Sequence, residues 1–286
     1  MTEITSVELA IDKPNLSIKK KGLSGGRLGL SILGIMVFIF LYMPIVIVIL
    51  FSFNSSVKMG QWEGVSLRWY DQLFHDQQIG DAVEVTLWVS TLSMILSTVL
   101  GTAGALAMER YNFRGKITYD ALLYLPVIIP DIVMALSLLL FFSAVGIPLS
   151  RYTILIAHVA ANVSIVFIVV RARLASMDPH LEEAAADLYA SPWLVFRRVT
   201  LPLLVPGILS GALLSFTLSF DEFVMTSFLS GQGDTTLPVK IYSMLRFGLK
   251  PEINAIATLV LLTSSALVII ALVLQGSSQR TASAGH

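Results

Sequence analysis

Residues 182–192 read Glu-Glu-Ala-Ala-Ala-Asp-Leu-Tyr-Ala-Ser-Pro, and a Leu-Pro pair follows at 201–202. This polar, alanine-rich stretch lies between two long apolar segments. Asp178, followed by Pro, is a helix-start signal, because its side chain can accept a backbone hydrogen bond and Pro lacks a donor that the first turn leaves unpaired. Ser191, also followed by Pro, repeats the signal. The stretch therefore predicts two short helices joined by a tight turn.

The first predicted helix has one apolar side. Four residues at spacings i, i+3, i+4 and i+7 form a single stripe: Leu181, Ala184, Ala185 and Leu188. Glu182 and Glu183 fall in the first turn, where the helix dipole favours negative charge. A rigid helical hairpin between two apolar segments is a projection that can be presented to a partner, and we interpret it so.

The composition requires a membrane protein. The chain is 55% hydrophobic and 13% charged, with a mean hydropathy of +0.79, which leaves too little polar surface to coat a soluble core. Apolar runs long enough to cross a bilayer as helices recur along it. We predict an all-α, polytopic protein with six transmembrane helices, at about 30–53, 82–107, 119–145, 153–172, 203–229 and 253–275.

Charge predicts how the membrane helices are oriented. We expect a polar tail at 1–29, a membrane domain at 30–278 that contains the hairpin at about 178–200, and a short tail at 279–286. The run at 30–53 is too long for a signal-peptide core, so we expect it to be retained. Thirteen Lys and Arg residues lie on one side of the predicted spans and six on the other. The positive-inside rule therefore predicts that both tails and the hairpin are cytoplasmic.

Three acids fall well inside predicted spans, away from the span ends where Glu84 and Asp120 lie. Asp131 lies about 18 Å into the third span, and Asp221 and Glu222 lie about 12 Å from the outer end of the fifth. A charge at such a depth costs at least about 2.5–3.5 kcal/mol and marks a cavity, a partner or a ligand. These two spans contain no Lys or Arg, so a cationic substrate could supply the counter-charge. Protonation or interhelical hydrogen bonding is the structural alternative.

Neighbouring acids on one helix point about 100° apart, so we expect only one of the adjacent pair to line a path, and we choose Asp221. Pro126 and Pro130 interrupt the third span. They indicate either a simple kink or a break beside a cavity. His158 is a lone imidazole, for which packing or an interhelical hydrogen bond is the interpretation. Ser219 is interpreted as a helix-packing hydroxyl.

Signatures of catalysis are missing from the sequence. The glycine-rich stretch at 22–29 lacks the Lys-Ser/Thr ending of a nucleotide-binding loop. The four histidines are scattered, and there is no cysteine, so no metal spacing is present. We therefore predict a non-catalytic protein without a metal or cofactor.

The hairpin resembles the "EAA" coupling loop of ABC-importer permeases, by which the membrane subunit contacts its ATPase. The resemblance assigns ATPase coupling to eight residues: Glu182, Glu183, Ala184, Ala185, Asp187, Leu188, Leu201 and Pro202. The family's glycine is replaced by Tyr189 here. Because glycine best tolerates φ > 0 at such a turn, tyrosine implies a different turn or some strain.

Further segments are similar to the spermidine/putrescine branch of this family, above all to its second permease subunit; they include 51–56, 68–70, 113–116, 130–134, 216–221, 236–238 and 251–255. The resemblance implies the type I (MetI-like) fold, the bacterial inner membrane and ATP-driven polyamine import by alternating access. It also implies a polyamine path through Asp131, Asp221 and Glu222, with Trp69 at its outer mouth. The implied partners are a second homologous permease, a cytoplasmic ATPase homodimer that hydrolyses the ATP, and a periplasmic polyamine-binding protein.

Two alternatives stay open at this stage. One is the same machine for another solute, such as iron, a phosphonate or an amino acid. The other is an ion-coupled secondary carrier that works alone, although that reading leaves the hairpin unexplained and lacks an inverted repeat of broken helices. Within the polyamine reading, both putrescine and spermidine fit the resemblance.

Overall fold

The computed structural model describes residues 25–58, 60–247 and 250–283, so most of the predicted N-terminal tail and residues 284–286 lie outside it. The regular secondary structure of the described residues is helical apart from one isolated bridge between Asn54 and Val65, which confirms the all-α prediction. The helices are α1 (Gly25–Ser52), α2 (Arg68–His75), α3 (Gln77–Arg110), α4 (Lys116–Ile128), α5 (Asp131–Val145), α6 (Arg151–Ala175), α7 (His180–Asp187), α8 (Pro192–Val195), α9 (Leu201–Phe220), α10 (Val224–Leu229), α11 (Leu237–Phe247) and α12 (Glu252–Ser283). A π-helical turn, Phe196–Thr200, joins α8 to α9.

Four helical stretches are long and apolar enough to cross a membrane: Gly29–Ser52, Gln77–Arg110, Arg151–Ala175 and Pro192–Phe220. The bent pair α4–α5 makes a fifth span if it is counted as one. The sixth predicted span coincides with α12, whose apolar part within the described residues is the shorter segment Glu252–Ala266. The structure therefore supports four to five of the six predicted spans by length and composition.

The chain divides into two compact units at Ile47 and Val48. The first unit contains most of α1, which continues through Pro44 without ending. The second unit is built around α3, α6 and α9, which pack against one another along their lengths. A Cβ added to Gly101 of α3 would lie 2.8 Å from the carbonyl oxygen of Val163, so only glycine permits this approach of α3 to α6.

The third predicted span is two helices rather than one. α4 and α5 are bent by 108° at Ile129 and Pro130, which corrects the continuous span predicted over 119–145. Pro130 has no N–H to continue α4, and the residue before a proline is driven out of the helical region. Ile129 is accordingly extended, with φ −72° and ψ 129°. Pro126, by contrast, is accommodated within α4.

The fifth predicted span, 203–229, is also interrupted. α9 ends at Phe220, residues 221–223 are not helical, and α10 begins at Val224. Asp221 and Glu222 therefore lie in a break between two helices. The 100° separation expected of neighbours within one helix does not apply to them.

Candidate functional site

A cavity of about 220 Å³ lies where the α4–α5 break meets α6 and the end of α9. Two acids line it, Asp131 and Glu222, and no Lys or Arg is among its described lining residues. The other lining residues are Pro126, Val127, His158, Ala161, Asn162, Ile165, Leu218, Ser219 and Met225. The cavity thus presents two carboxylates within otherwise apolar and neutral polar surroundings.

Helix breaks bring these acids together. Asp131 is the first residue of α5, directly after Pro130. Glu222 lies in the non-helical segment after α9, and its Oε1 accepts a hydrogen bond of 2.6 Å from the backbone N–H of Met225. Each carboxylate therefore stands beside a helix start rather than on a helix side. Breaks of this kind occur at membrane depth where the backbone lines a cavity. Of the two interpretations of Pro126 and Pro130, this favours a break beside a cavity over a simple kink.

Asp221 faces a different space from its neighbour. It lines a groove of about 280 Å³ together with Phe223, Tyr242 and residues of α11 and α12. The rings of Phe223 and Tyr242 lie 4.8 Å apart, between centroids. Of the adjacent pair, Asp221 is the acid predicted to line the path, but in the structure Glu222 shares the cavity of Asp131.

Trp69 is a packing residue in this structure. Only 4% of its surface is exposed, and it lies in an apolar cluster with residues of α2, α3, α11 and α12. Its indole Nε1 donates a 2.7 Å hydrogen bond to the carbonyl oxygen of Asn54. A role at the outer mouth of a path would need an accessible ring, so the structure does not place Trp69 where the sequence analysis expected it.

The histidine interpretation is confirmed. His158 on α6 is 2% exposed. Its Nδ1 lies 2.7 Å from the Ser219 hydroxyl on α9, and its Nε2 lies 3.1 Å from the Thr226 hydroxyl on α10. Ser219 is likewise buried, as expected of a packing hydroxyl. Both imidazole nitrogens are thus occupied by interhelical hydrogen bonds.

The predicted hairpin is present as α7 and α8. The side chain of Asp178 accepts a 3.0 Å hydrogen bond from the N–H of His180, and Ser191 caps α8 by accepting from the N–H of Leu194. Leu201 and Pro202 open α9 directly after the π-helical turn Phe196–Thr200. The two short helices and the turn between them form the expected hairpin.

Tyr189 keeps the turn that glycine would make. Its φ is +60°, the only positive value among the non-glycine residues that the structure describes. The side chain is 99% exposed, so no packing compensates for the conformation. A left-handed residue with a Cβ costs about 1–2 kcal/mol, and of the two sequence alternatives the structure therefore shows strain.

Replacing Tyr189 with Gly is expected to stabilise the hairpin by about 1 kcal/mol, because glycine adopts φ > 0 without a steric penalty. The measurement is the thermal stability of the purified protein, complemented by the rate of proteolysis within 178–202. Tyr189→Ala is the matched control, since it removes the ring but keeps the Cβ. Equal stability of the Ala and Gly variants would contradict the strain.

The two adjacent glutamates of the hairpin have different surroundings. Glu182 accepts two hydrogen bonds from the Arg110 guanidinium and one of 2.6 Å from the Thr200 hydroxyl. The Arg110 hydrogen bonds are the main reason why the pKa of Glu182 lies below its ordinary value. Glu183 is 70% exposed and pairs only with the exposed His180 of the same helix. Glu182 thus binds the hairpin to its own protein, whereas Glu183 is available to a partner.

An apolar face of the hairpin is open to solvent. Its largest side chains are Leu181, Leu188, Trp193 and Leu194, of which Leu188 is 82% exposed and Trp193 67%. Ala184 of the predicted stripe is exposed as well, and so is Asp187 at the end of α7. Apolar residues clustered at a projection mark a protein interaction site more often than a free surface. Arg110 and Thr200, which hydrogen-bond to Glu182, could not be identified from the sequence.

The fold and sites define an integral-membrane transport subunit, with an acid-lined cavity among its helices and a projecting helical hairpin. Residues 97–282 match the family of binding-protein-dependent transport system inner membrane components. This is more than half of the chain, and the protein belongs to that family.

Curated relatives make the class more specific. The chain is 42% identical over 231 residues to the putrescine transport system permease protein PotI of Escherichia coli K12, covering 78% of this chain and 82% of PotI. It is 40% identical over 233 residues to the spermidine/putrescine transport system permease protein PotC of the same organism, covering 82% and 88%.

Among solved structures, the chain is similar to a bacterial ABC transporter involved in the import of alginate. The TM-score is 0.71 at 19% identity, over 87% of this chain and 95% of that one. At this identity the similarity concerns the fold alone. It confirms the predicted fold of an ABC-importer permease.

Proposed function

We propose that this protein is the permease subunit of an ATP-driven importer and that polyamines cross the membrane between its helices. The observation that carries the proposal is the cavity in which Asp131 and Glu222 lie without a Lys or Arg among the described lining residues. Asp131 is exposed to this cavity and Glu222 is half-buried. Carboxylates at membrane depth without a cation are costly, and a substrate that carries ammonium groups offsets that cost.

Two observations support polyamines as the substrate class. A polyamine is a flexible chain of ammonium groups separated by methylenes, and it suits spaced acids with apolar walls between them. The relatives PotI and PotC are named as putrescine and spermidine/putrescine permeases. Asp221 and the rings of its groove are proposed as a further part of the path, through ion pairing and cation–π contact. An anion importer would have no use for these carboxylates.

The energy source is proposed to be a cytoplasmic ATPase homodimer that docks on the hairpin. The exposed apolar face and Glu183 form the contact, and Glu182 transmits movement to α3 through Arg110. ATP-driven closure of the ATPases would pull the hairpin and open an outward cavity. In this proposal both termini and residues 178–202 are cytoplasmic in a bacterial inner membrane. A second homologous permease completes the path, and a periplasmic polyamine-binding protein docks on the outer loops.

The test is uptake of labelled putrescine and spermidine into liposomes that contain the chain with its partner permease, ATPase and binding protein. We expect uptake that requires ATP and every subunit, and competition by polyamines but not by 2-aminoethylphosphonate or amino acids. Uptake by the chain alone, or competition by the anionic solute, would overturn the proposal.

Replacing Asp221 with Asn is expected to lower polyamine uptake severalfold, because the groove loses its only charge among the described lining residues while the shape is kept. Binding of the ATPase should be unaffected, since Asp221 lies outside the hairpin. Uptake at several putrescine concentrations, with co-purification of the ATPase, measures both. Unchanged uptake by a correctly inserted variant would remove Asp221 from the path.

A further inference from the structure

One side chain holds both ends of the segment that carries Glu222. Ser219 lies in the last turn of α9 and Thr226 in the first turn of α10, and His158 is hydrogen-bonded to both, at 2.7 Å and 3.1 Å. The three side chains are 3% exposed or less, so water does not compete for these hydrogen bonds. His158 of α6 therefore links α9 to α10 by hydrogen bonds across the non-helical segment between them; we call this link the His158 bridge.

The direction of the Glu222 carboxylate depends on this bridge. Its Oε1 accepts from the N–H of Met225, which is the residue next to Thr226. If α10 shifts relative to α9, the Met225 N–H moves and the carboxylate moves with it. The opposite acid, Asp131, is the first residue of α5, which itself packs against α10 in the cluster that contains Ala135 and Met225. The separation of the two carboxylates across the cavity is thus set in part by His158.

His158 is suited to this task and not to binding a cation. A neutral imidazole has one donor and one acceptor nitrogen, and each hydroxyl can take the complementary role. Both nitrogens are used, so none is left for substrate although the ring lines the cavity. A bridge without net charge also leaves the two acids as the only charged groups among the described lining residues.

We infer that His158 is a positioning residue that sets which spacing of ammonium groups the cavity accepts. The inference rests on the proposed function. Diamines that differ only in the number of methylenes between their ammonium groups match a fixed pair of carboxylates unequally. When the bridge is lost, Glu222 can follow the ligand, and discrimination among these diamines should weaken.

The experiment measures uptake of diamines of three to six carbons by the complete transporter. For His158→Ala we expect the preference between the best and the worst diamine to fall roughly tenfold, the scale of one lost hydrogen bond. His158→Gln, which can still donate and accept, should retain most of the preference. In a Glu222→Gln background, His158→Ala should change the preference less than about twofold, because the group that it positions is already neutral.

A second pair of variants tests the same bridge with a smaller change in packing, so that misfolding does not obscure the result. Thr226→Val removes the hydroxyl at constant shape, and Thr226→Ser keeps it, so the Val variant alone should lose preference. Two results would overturn the inference but not the proposed function. One is an equal reduction of uptake for every diamine in both His158→Ala and Thr226→Val. The other is a loss of preference in His158→Ala that is as large in the Glu222→Gln background as in the wild type. Absence of polyamine uptake by the wild-type transporter would overturn the proposed function, and the inference with it.

Discussion

Replacing Asp131 with Asn and Glu222 with Gln together is expected to reduce putrescine uptake about a hundredfold or more at substrate concentrations below saturation. A hydrogen bond to a charged group contributes about 1.5–3 kcal/mol, which corresponds to about a tenfold to hundredfold change for each carboxylate. Asn and Gln keep the shape and one acceptor oxygen but remove the negative charge, so the loss reports mainly the charge. The measurement is the initial rate of ATP-dependent uptake against putrescine concentration.

The control for this prediction is Asp81→Asn, which removes one carboxylate from an exposed position of α3 outside both the cavity and the groove. Its uptake should equal that of the wild type. The double variant should still bind the ATPase and hydrolyse ATP, because the hairpin is untouched. If the double variant transported putrescine at the rate of the Asp81 variant, the cavity would not be the polyamine path.

The hairpin could be predicted from sequence because its signals are local. Ser191 caps α8, and Asp178 accepts a hydrogen bond from the N–H of His180 at the start of α7, as the local pattern predicts. The resemblance placed Tyr189 at the family's glycine and left open a different turn or strain, and the structure has a positive φ there. Such features depend on neighbouring residues, which the sequence displays directly.

The cavity could be predicted only in part. Acids within apolar spans identified Asp131 and Glu222, but their meeting depends on a 108° bend and on where α9 ends. Proline predicts that a helix is disturbed but does not give the direction of the chain afterwards. The choice between Asp221 and Glu222 was made with helical geometry, which fails at a break.

Trp69 illustrates a second limit. An aromatic residue in an outer loop suits an exposed mouth as well as a buried cluster, and burial is decided by α11 and α12, which lie far away in the sequence. Glu182 shows the same limit for charge. The hairpin pattern predicted a contact with a partner, whereas Arg110 of α3, 72 residues away, binds its carboxylate.

Replacing Glu182 with Gln is expected to uncouple ATP hydrolysis from transport. The hairpin is attached to α3 through Arg110 and to the π-helical turn before α9 through Thr200. Next to Arg110, Glu109 pairs with Arg171 of α6. Under the proposed function, we expect a movement of α7 to be passed through these contacts to α6 and α9, which line the cavity. A coupling free energy of about 1–3 kcal/mol corresponds to a 5–150-fold loss in putrescine transported per ATP hydrolysed.

The pH dependence of this attachment follows from the direction of the shift. The pKa of Glu182 is lowered in the folded protein, mainly by the Arg110 hydrogen bonds. A lowered pKa means that the stabilisation is complete above the ordinary value of 4.5 and is lost as the pH falls through the lowered value. Titration of the Glu182–Arg110 pair should therefore not change the amount of putrescine transported per ATP hydrolysed when the pH is varied around neutrality.

A charge exchange separates the attachment from a contact with the ATPase. Arg110→Glu alone places two acids together and should uncouple at least as strongly as Glu182→Gln, while Arg110→Glu with Glu182→Arg restores an ion pair within one subunit. Recovery of the transport-to-hydrolysis ratio in the exchanged protein, with the ATPase unaltered, is the expected result. If Glu182 instead contacted the ATPase directly, the exchanged protein would bind it as poorly as a single Glu182→Arg variant and would transport nothing, because a repulsive charge would then face the partner.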